Sequence, residues 1–114
     1  MSRTRFRPPR QRLDDLDHAF LAFADLHELT LAGDFTGAHF AHADLRAANL
    51  EYCCLHRVAM IGADLSDANL GHVQAYRLSA PGAIARQLRA EGAHLQEADL
   101  RGADLSQARL NTAN

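Results

Sequence analysis

Seven histidines, two cysteines, fourteen carboxylates and twelve arginines, with no lysine, are the groups in this 114-residue chain that could do chemistry. Hydrolysis or group transfer needs a nucleophile, a base and an orienting group held together, and the chain has no G-x-S-x-G, phosphate-binding loop or dinucleotide motif. Metal binding needs ligands that converge. His39 and His42 are close in sequence, yet no third ligand stands at a defined spacing and Cys-x-x-Cys is absent. The adjacent Cys53 and Cys54 suit neither a zinc pair nor a disulfide-stapled secreted domain. No enzymatic activity, metal or cofactor is expected.

Charge is the more informative chemistry. Residues 1–12 carry Arg3, Arg5, Arg7, Arg10 and Arg12 without a single acid, whereas residues 13–114 set seven arginines against fourteen carboxylates, a net of −7. Such asymmetry suggests a basic interaction tail on a folded body, and Pro8 and Pro9 favour an extended connection. Residues 1–13 are expected to be a flexible arm and residues 14–114 the body. The arm has two readings, a start without a role and a partner-binding segment that pairs with phosphate or carboxylate groups. Phe6 is its only aromatic residue, so base stacking, and nucleic-acid binding beyond weak phosphate pairing, are not expected. No apolar run approaches about 18 residues, and the Arg-rich start lacks the hydrophobic segment of a secretion signal. Neither membrane insertion nor export is expected, and the expected location is the cytoplasm.

The elements that must position these groups are set by an internal repeat. Ala-Asp-Leu recurs at 43, 63, 98 and 103 and Ala-Asn-Leu at 48 and 68, always at multiples of five. Pentads counted from Gly33 place Phe35, Phe40, Leu45, Leu50, Leu55, Met60, Leu65, Leu70, Leu95, Leu100, Leu105 and Leu110 at the third position, and mostly alanine at the first. A period of five would smear these residues around a helix or a flat strand. The chain must therefore turn a corner every pentad, with first and third residues inward. Gly37, Gly62, Gly82, Gly92 and Gly102 fall at the fifth position, where a corner calls for positive φ.

With Ala43 to Ala47 and Ala63 to Asp67 matching small residue, Asp or Asn, Leu and two variable residues, the chain resembles the pentapeptide-repeat family. The resemblance covers about residues 14 to 114 and implies an all-β fold, a right-handed quadrilateral β-helix with four pentads per coil and about five coils. Counting one coil as four pentads puts Asp44, Asp64 and Asp104 on one outward column, interrupted by Ile84, with Asp67 and Asp99 also on the outer surface. Solvent exposure and hydrogen bonding peculiar to the repeat account for these aspartates without any further role. Some relatives are DNA mimics that bind DNA gyrase and protect it from quinolones or toxins, so the resemblance also implies an acidic gyrase-binding surface as an alternative to a non-enzymatic interaction or scaffold module whose protein partner is unknown.

Three departures from the repeat carry expectations of their own. Upstream first positions run 14, 19, 24 and 29, then 33, so one residue is missing near Gly33, and Asp14 falls in an inward slot that should be frayed. Between 73 and 92 all four third positions are alanine. An in-register coil with enlarged Val73, Leu78 and Leu88, and a short helical excursion within 79–92 from Pro81 to Gly92, both fit the frame. An excursion would bring Cys54 and His94 together. Finally, Ala108, Leu110 and Ala113 would form an apolar end after which the chain stops two residues into a further repeat, which suggests either truncation or a homodimer through the C-terminal coil.

Overall fold

A chain that turns every five residues can satisfy its backbone only by stacking on itself, because no turn is long enough to pair internally. The computed structural model describes residues 6–9 and 12–114, and among these the backbone winds into five stacked, four-sided coils. Each side forms one parallel bridge per coil at its second residue. The first wall carries Asp34, Cys54, Gln74 and His94; the second carries Phe20, His39, Ala59, Ser79 and Asp99. The third carries Asp25, Asp44, Asp64, Ile84 and Asp104, and the fourth Thr30, Asn49, Asn69, Arg89 and Arg109.

One pentad shows how the stack works. Asp44 N–H donates to the Ala24 carbonyl below (2.9 Å), while Leu45 and Ala47 N–H donate to Asp64 and Ser66 above (2.8 and 2.9 Å). The Ala48 N–H closes the corner on the Leu45 carbonyl at 3.1 Å. The corner residue Ala47 has φ of +58°, as the third residue of a type II turn requires. Most corners hold non-glycine residues at such angles, including His42, Tyr52, Arg57, Asp67 and Gln87. Each of these costs about 1–2 kcal/mol, which the inter-coil bonds and the core must outweigh.

First and third residues make the core. Apart from Gly33, every inward residue from Ala24 to Ala93 is buried, and among the described residues no buried side chain is polar or charged. Residues 73–92 form an in-register coil: Ser79, Ile84 and Arg89 bridge to both neighbours and the helical excursion does not occur. Val73, Leu78 and Leu88 fill the room left by Ala75, Ala80, Ala85 and Ala90, leaving an apolar void of about 20 Å³. At about 24 cal/mol per Å³ such a void costs only about 0.5 kcal/mol. Pro81, which the excursion would use as a helix start, is the second residue of a corner, where its fixed φ suits the turn.

The first coil starts earlier than expected. Arg12–Asp14 forms a strand, β1, paired in parallel with β2, Thr30–Ala32, so that Arg12 lies opposite Thr30 and Leu13 opposite Leu31. Leu13 and Leu16 pack against the core, and Asp14, assigned an inward slot from the sequence, is exposed and accepts a 2.8 Å bond from Arg12 Nε. The first wall narrows toward this end. Its corners lie at Asp15 and His18, then Gly33 and Gly37, then Tyr52 and Arg57, so the side shortens from five residues to four to three.

Corners also stack on one another. The His42 ring lies on Phe23 (centroids 5.1 Å apart), and a Cβ on Gly62 above would come within 2.6 Å of that imidazole. Gly82, one coil further on, has nothing within 4 Å of the same position. Gly82→Ala is expected to cost about 1 kcal/mol for its left-handed backbone. Gly62→Ala should cost about 1 kcal/mol more, because the ring must leave Phe23. In the His42→Ala background the two should become equal, as measured by urea unfolding.

Candidate functional site

The Asp and Asn side chains at second positions have a structural task first. The N–H of a pentad's fourth residue has no backbone partner, and where Asp or Asn stands two residues earlier its side chain accepts that N–H. Asp44 takes the Arg46 N–H at 3.1 Å, Asp64 that of Ser66 at 3.0 Å and Asp104 that of Ser106 at 3.1 Å. Asn49, Asn69 and Asp99 serve Glu51, Gly71 and Arg101 in the same way. These are Asx turns, and they explain why the repeat asks for Asp or Asn at that place.

The third wall assembles the acidic column and extends it by Asp25, which pairs with Asp44 at an offset of nineteen because of the short pentad at Gly33. Asp67 stands at the adjoining corner, and Asp99 belongs to the second wall. The column is partly neutralised from within. Arg46 makes a two-pronged pair with Asp44, at 2.8 and 2.7 Å, and Arg101 does the same with Asp99 at 2.9 and 2.8 Å. Arg86 Nε reaches Asp104 at 2.6 Å. Asp64 and Asp67 make no ion pair among the described residues.

These bonds hold the carboxyl groups below their usual range. The Arg46 bonds dominate at Asp44 and outweigh partial burial; the Arg101 bonds do the same at Asp99. The Ser106 hydroxyl, followed by Arg86, brings Asp104 down to about 2. At Asp25 partial burial pushes the pKa up, but bonds with His27 and the charge of Arg7 prevail and lower it.

Arg7, placed in the arm from sequence, is docked on the body. Its Nη1 lies 3.1 Å from both Asp25 Oδ1 and His27 Nδ1, the Phe6 carbonyl accepts the Asp25 N–H at 2.7 Å, and Pro8 is buried. Asp25, His27 and Asp44 bring ligand atoms within 4.8 Å of one another; the cation bonded there is the guanidinium. Sequence reasoning missed this group because a one-residue slip and a docked arm both had to be known. Arg12 belongs to β1, while Arg3, Arg5 and Arg10 lie outside the described residues.

The remaining candidates do not converge. His39 sits on the second wall and His42 at its corner against Phe23. Cys53 points inward and its Sγ–H donates to the Leu31 carbonyl, with burial pushing the thiol up to about 12. Cys54 points outward, and Gln74 separates it from His94 on the first wall. Ala108 and Ala113 are half-buried in the last coil and Leu110 is 39 % exposed. Among the described residues no helix is long and apolar enough to cross a membrane.

Comparison with known proteins agrees with this geometry. The family described as pentapeptide repeats matches in eight copies over residues 34–67 and 82–114, more than half of the chain. Among solved structures, a pentapeptide-repeat protein (Rfr23) from the cyanobacterium Cyanothece 51142 is 24 % identical, with a TM-score of 0.59 over 71 % of this chain and 58 % of the other. HetL, a pentapeptide-repeat protein involved in heterocyst differentiation regulation from Nostoc sp. strain PCC 7120, is 24 % identical over 92 % of this chain and 77 % of its own, with a TM-score of 0.43. A thylakoid-lumen pentapeptide-repeat protein from Arabidopsis thaliana is 21 % identical over 89 % and 70 %, also at 0.43. No curated protein matches the sequence.

The ionised form of Asp104 carries the bonds to Ser106 and Arg86. Their contribution should be complete above the ordinary aspartate pKa of about 3.9 and disappear as pH falls through about 2. Thermal unfolding followed from pH 5 to 2 should therefore show a declining midpoint, and Asp104→Asn should flatten that decline. An unchanged acid slope in the variant would contradict the assignment.

Proposed function

Because the chain belongs to the pentapeptide-repeat family and has its right-handed quadrilateral β-helix, we propose that it is a non-enzymatic protein-interaction module whose contact surface is the second wall. One observation carries this reading. Over four coils that wall presents Phe20, Ala22, Phe23, His39, Ala41, Ala59, Ile61, Ser79 and Pro81 and no Asp, Glu or Arg, until Asp99 and Arg101 pair in the last coil. Phe20 is 78 % exposed, Phe23 47 % and Ile61 44 %. A flat wall without charge, with projecting aromatic and aliphatic groups, suits a partner with an apolar, uncharged surface of its own. The side chains are held in register by the coils beneath them, so little ordering is needed on contact.

The alternative, an acidic DNA mimic that binds a type II topoisomerase such as DNA gyrase, draws on the third wall. Charge density weighs against it. Duplex DNA carries one negative charge per about 1.7 Å, whereas this wall and its corner spread Asp25, Glu28, Asp44, Asp64, Asp67 and Asp104 over five coils about 4.8 Å apart. Asp25, Asp44 and Asp104 are moreover each paired with an arginine.

A photo-cross-linking residue at position 61, in the cell of origin, should capture a protein partner that the same residue at position 109 does not. Ala59→Arg should weaken that partner by about tenfold or more, equivalent to about 1.4 kcal/mol, without unfolding the coil, since Arg already occupies the equivalent places at 89 and 109. Equal labelling from both walls would overturn the proposal. In a supercoiling assay with purified gyrase, with and without quinolone, no effect is expected; inhibition or protection that Asp64→Asn abolishes would establish the mimic reading instead.

A further inference from the structure

The fourth wall, opposite the proposed contact surface, has a feature that neither the fold nor the proposed function uses. In its lower coils the second positions are Asn49 and Asn69, whose side chains take the free N–H groups of Glu51 and Gly71. In the next two coils the same positions are Arg89 and Arg109, direct bridge partners one coil apart. The substitution forgoes two Asx bonds and sets like charges opposite each other, which is destabilising in a sheet. Neither guanidinium lies within ion-pairing distance of a carboxylate among the described residues, although Arg7, Arg46, Arg86 and Arg101 all do.

Arg89 and Arg109 line a depression of about 570 Å³ together with Gln87, Gln107 and Asp67. All five side chains are exposed, so this is an open surface depression and not an enclosed cavity. Gln87 Nε2 donates to Gln107 Oε1 at 2.9 Å, which fixes the two amides side by side and leaves the Gln107 amino group free to donate. Two stacked forks of N–H donors with an amide donor beside them match the oxygens of one tetrahedral oxyanion. Asp67, exposed one coil below Gln87 on the same corner, would repel a second anionic group and can accept a hydrogen bond from a hydroxyl. We propose that Arg89 and Arg109 bind the phosphate of a small phosphate monoester whose hydroxyl-bearing body lies toward Asp67.

The probe is glycerol 3-phosphate, titrated into the full chain at constant ionic strength, with glycerol as the neutral control and amide chemical shifts as the readout. Saturable shifts are expected at Gln87, Arg89, Gln107 and Arg109, with none from glycerol. The double variant Arg89→Gln/Arg109→Gln should weaken binding at least tenfold, and Arg57→Gln should leave it unchanged. Glycerol 3-phosphate should also raise the thermal midpoint of the wild type more than chloride does, and this difference should vanish in the double variant, which unfolds no earlier than the wild type. Shifts that are absent at these four residues, that survive the double variant, or that Arg57→Gln reduces equally would overturn the proposal.

Discussion

The structure depends on a backbone accounting problem that recurs every five residues. A pentad that turns a corner has five N–H groups to place. Second, third and fifth residues give theirs to neighbouring coils, and the first residue of the next pentad closes the turn, as at Asp44, Leu45, Ala47 and Ala48. Only the fourth is left. Asp or Asn at the second position accepts it, solvent can take it where that residue is Ala59 or Ile84, and Pro81 dispenses with it altogether. The Tyr76 N–H finds a different acceptor, the His56 ring one coil away at 3.0 Å. Packing follows from the same arrangement, since a chain turned this way points its first and third side chains inward.

That constraint explains which parts of the fold were legible in the sequence. The inward residues recur without interruption from Phe35 to Ala93, so period, core and wall assignment could be read directly. Pro81 and Gly92 leave the choice between coil and helix open because each has two meanings: proline begins helices and also suits the second residue of a turn, and glycine ends helices and also occupies corners. The exchange of volume between Leu78 and Leu88 and the alanines is visible in the sequence and favours the coil, and the bridges at Ser79, Ile84 and Arg89 decide it. At Asp14 the repeat frame extrapolated one step too far, because β1 follows the register of β2 rather than the spacing of the pentads.

The candidate sites were legible in unequal measure. The acidic column follows from counting coils, but its neutralisation depends on where guanidinium groups turn. Arg46 and Arg101 lie two residues after their aspartates, a local spacing that could have been read as a pair; Arg86 reaches Asp104 across a coil and could not. The sequence leaves Arg7 in a free arm because its partners, Asp25 and His27, carry no mark of it in their own sequence. The result is a rod whose four sides differ chemically although one repeat builds them all: mostly paired acids on the third, uncovered arginines on the fourth, an uncharged second and a first rich in histidine and glutamine. Stability resides in the inward residues and leaves the outward ones free to diverge wall by wall.

The narrowing first wall gives this rod a direction. Twenty-residue units of equal girth can be duplicated or deleted where sides are five residues long, since any such unit seats on the next. Below Gly33 that interchangeability fails, because a side of three residues cannot present the ladder that a side of five would need. Lengthening by duplication is thus confined to the full-width coils. The tapered coil acts as a fixed foot, with a narrowed cross-section on which a five-residue side does not seat.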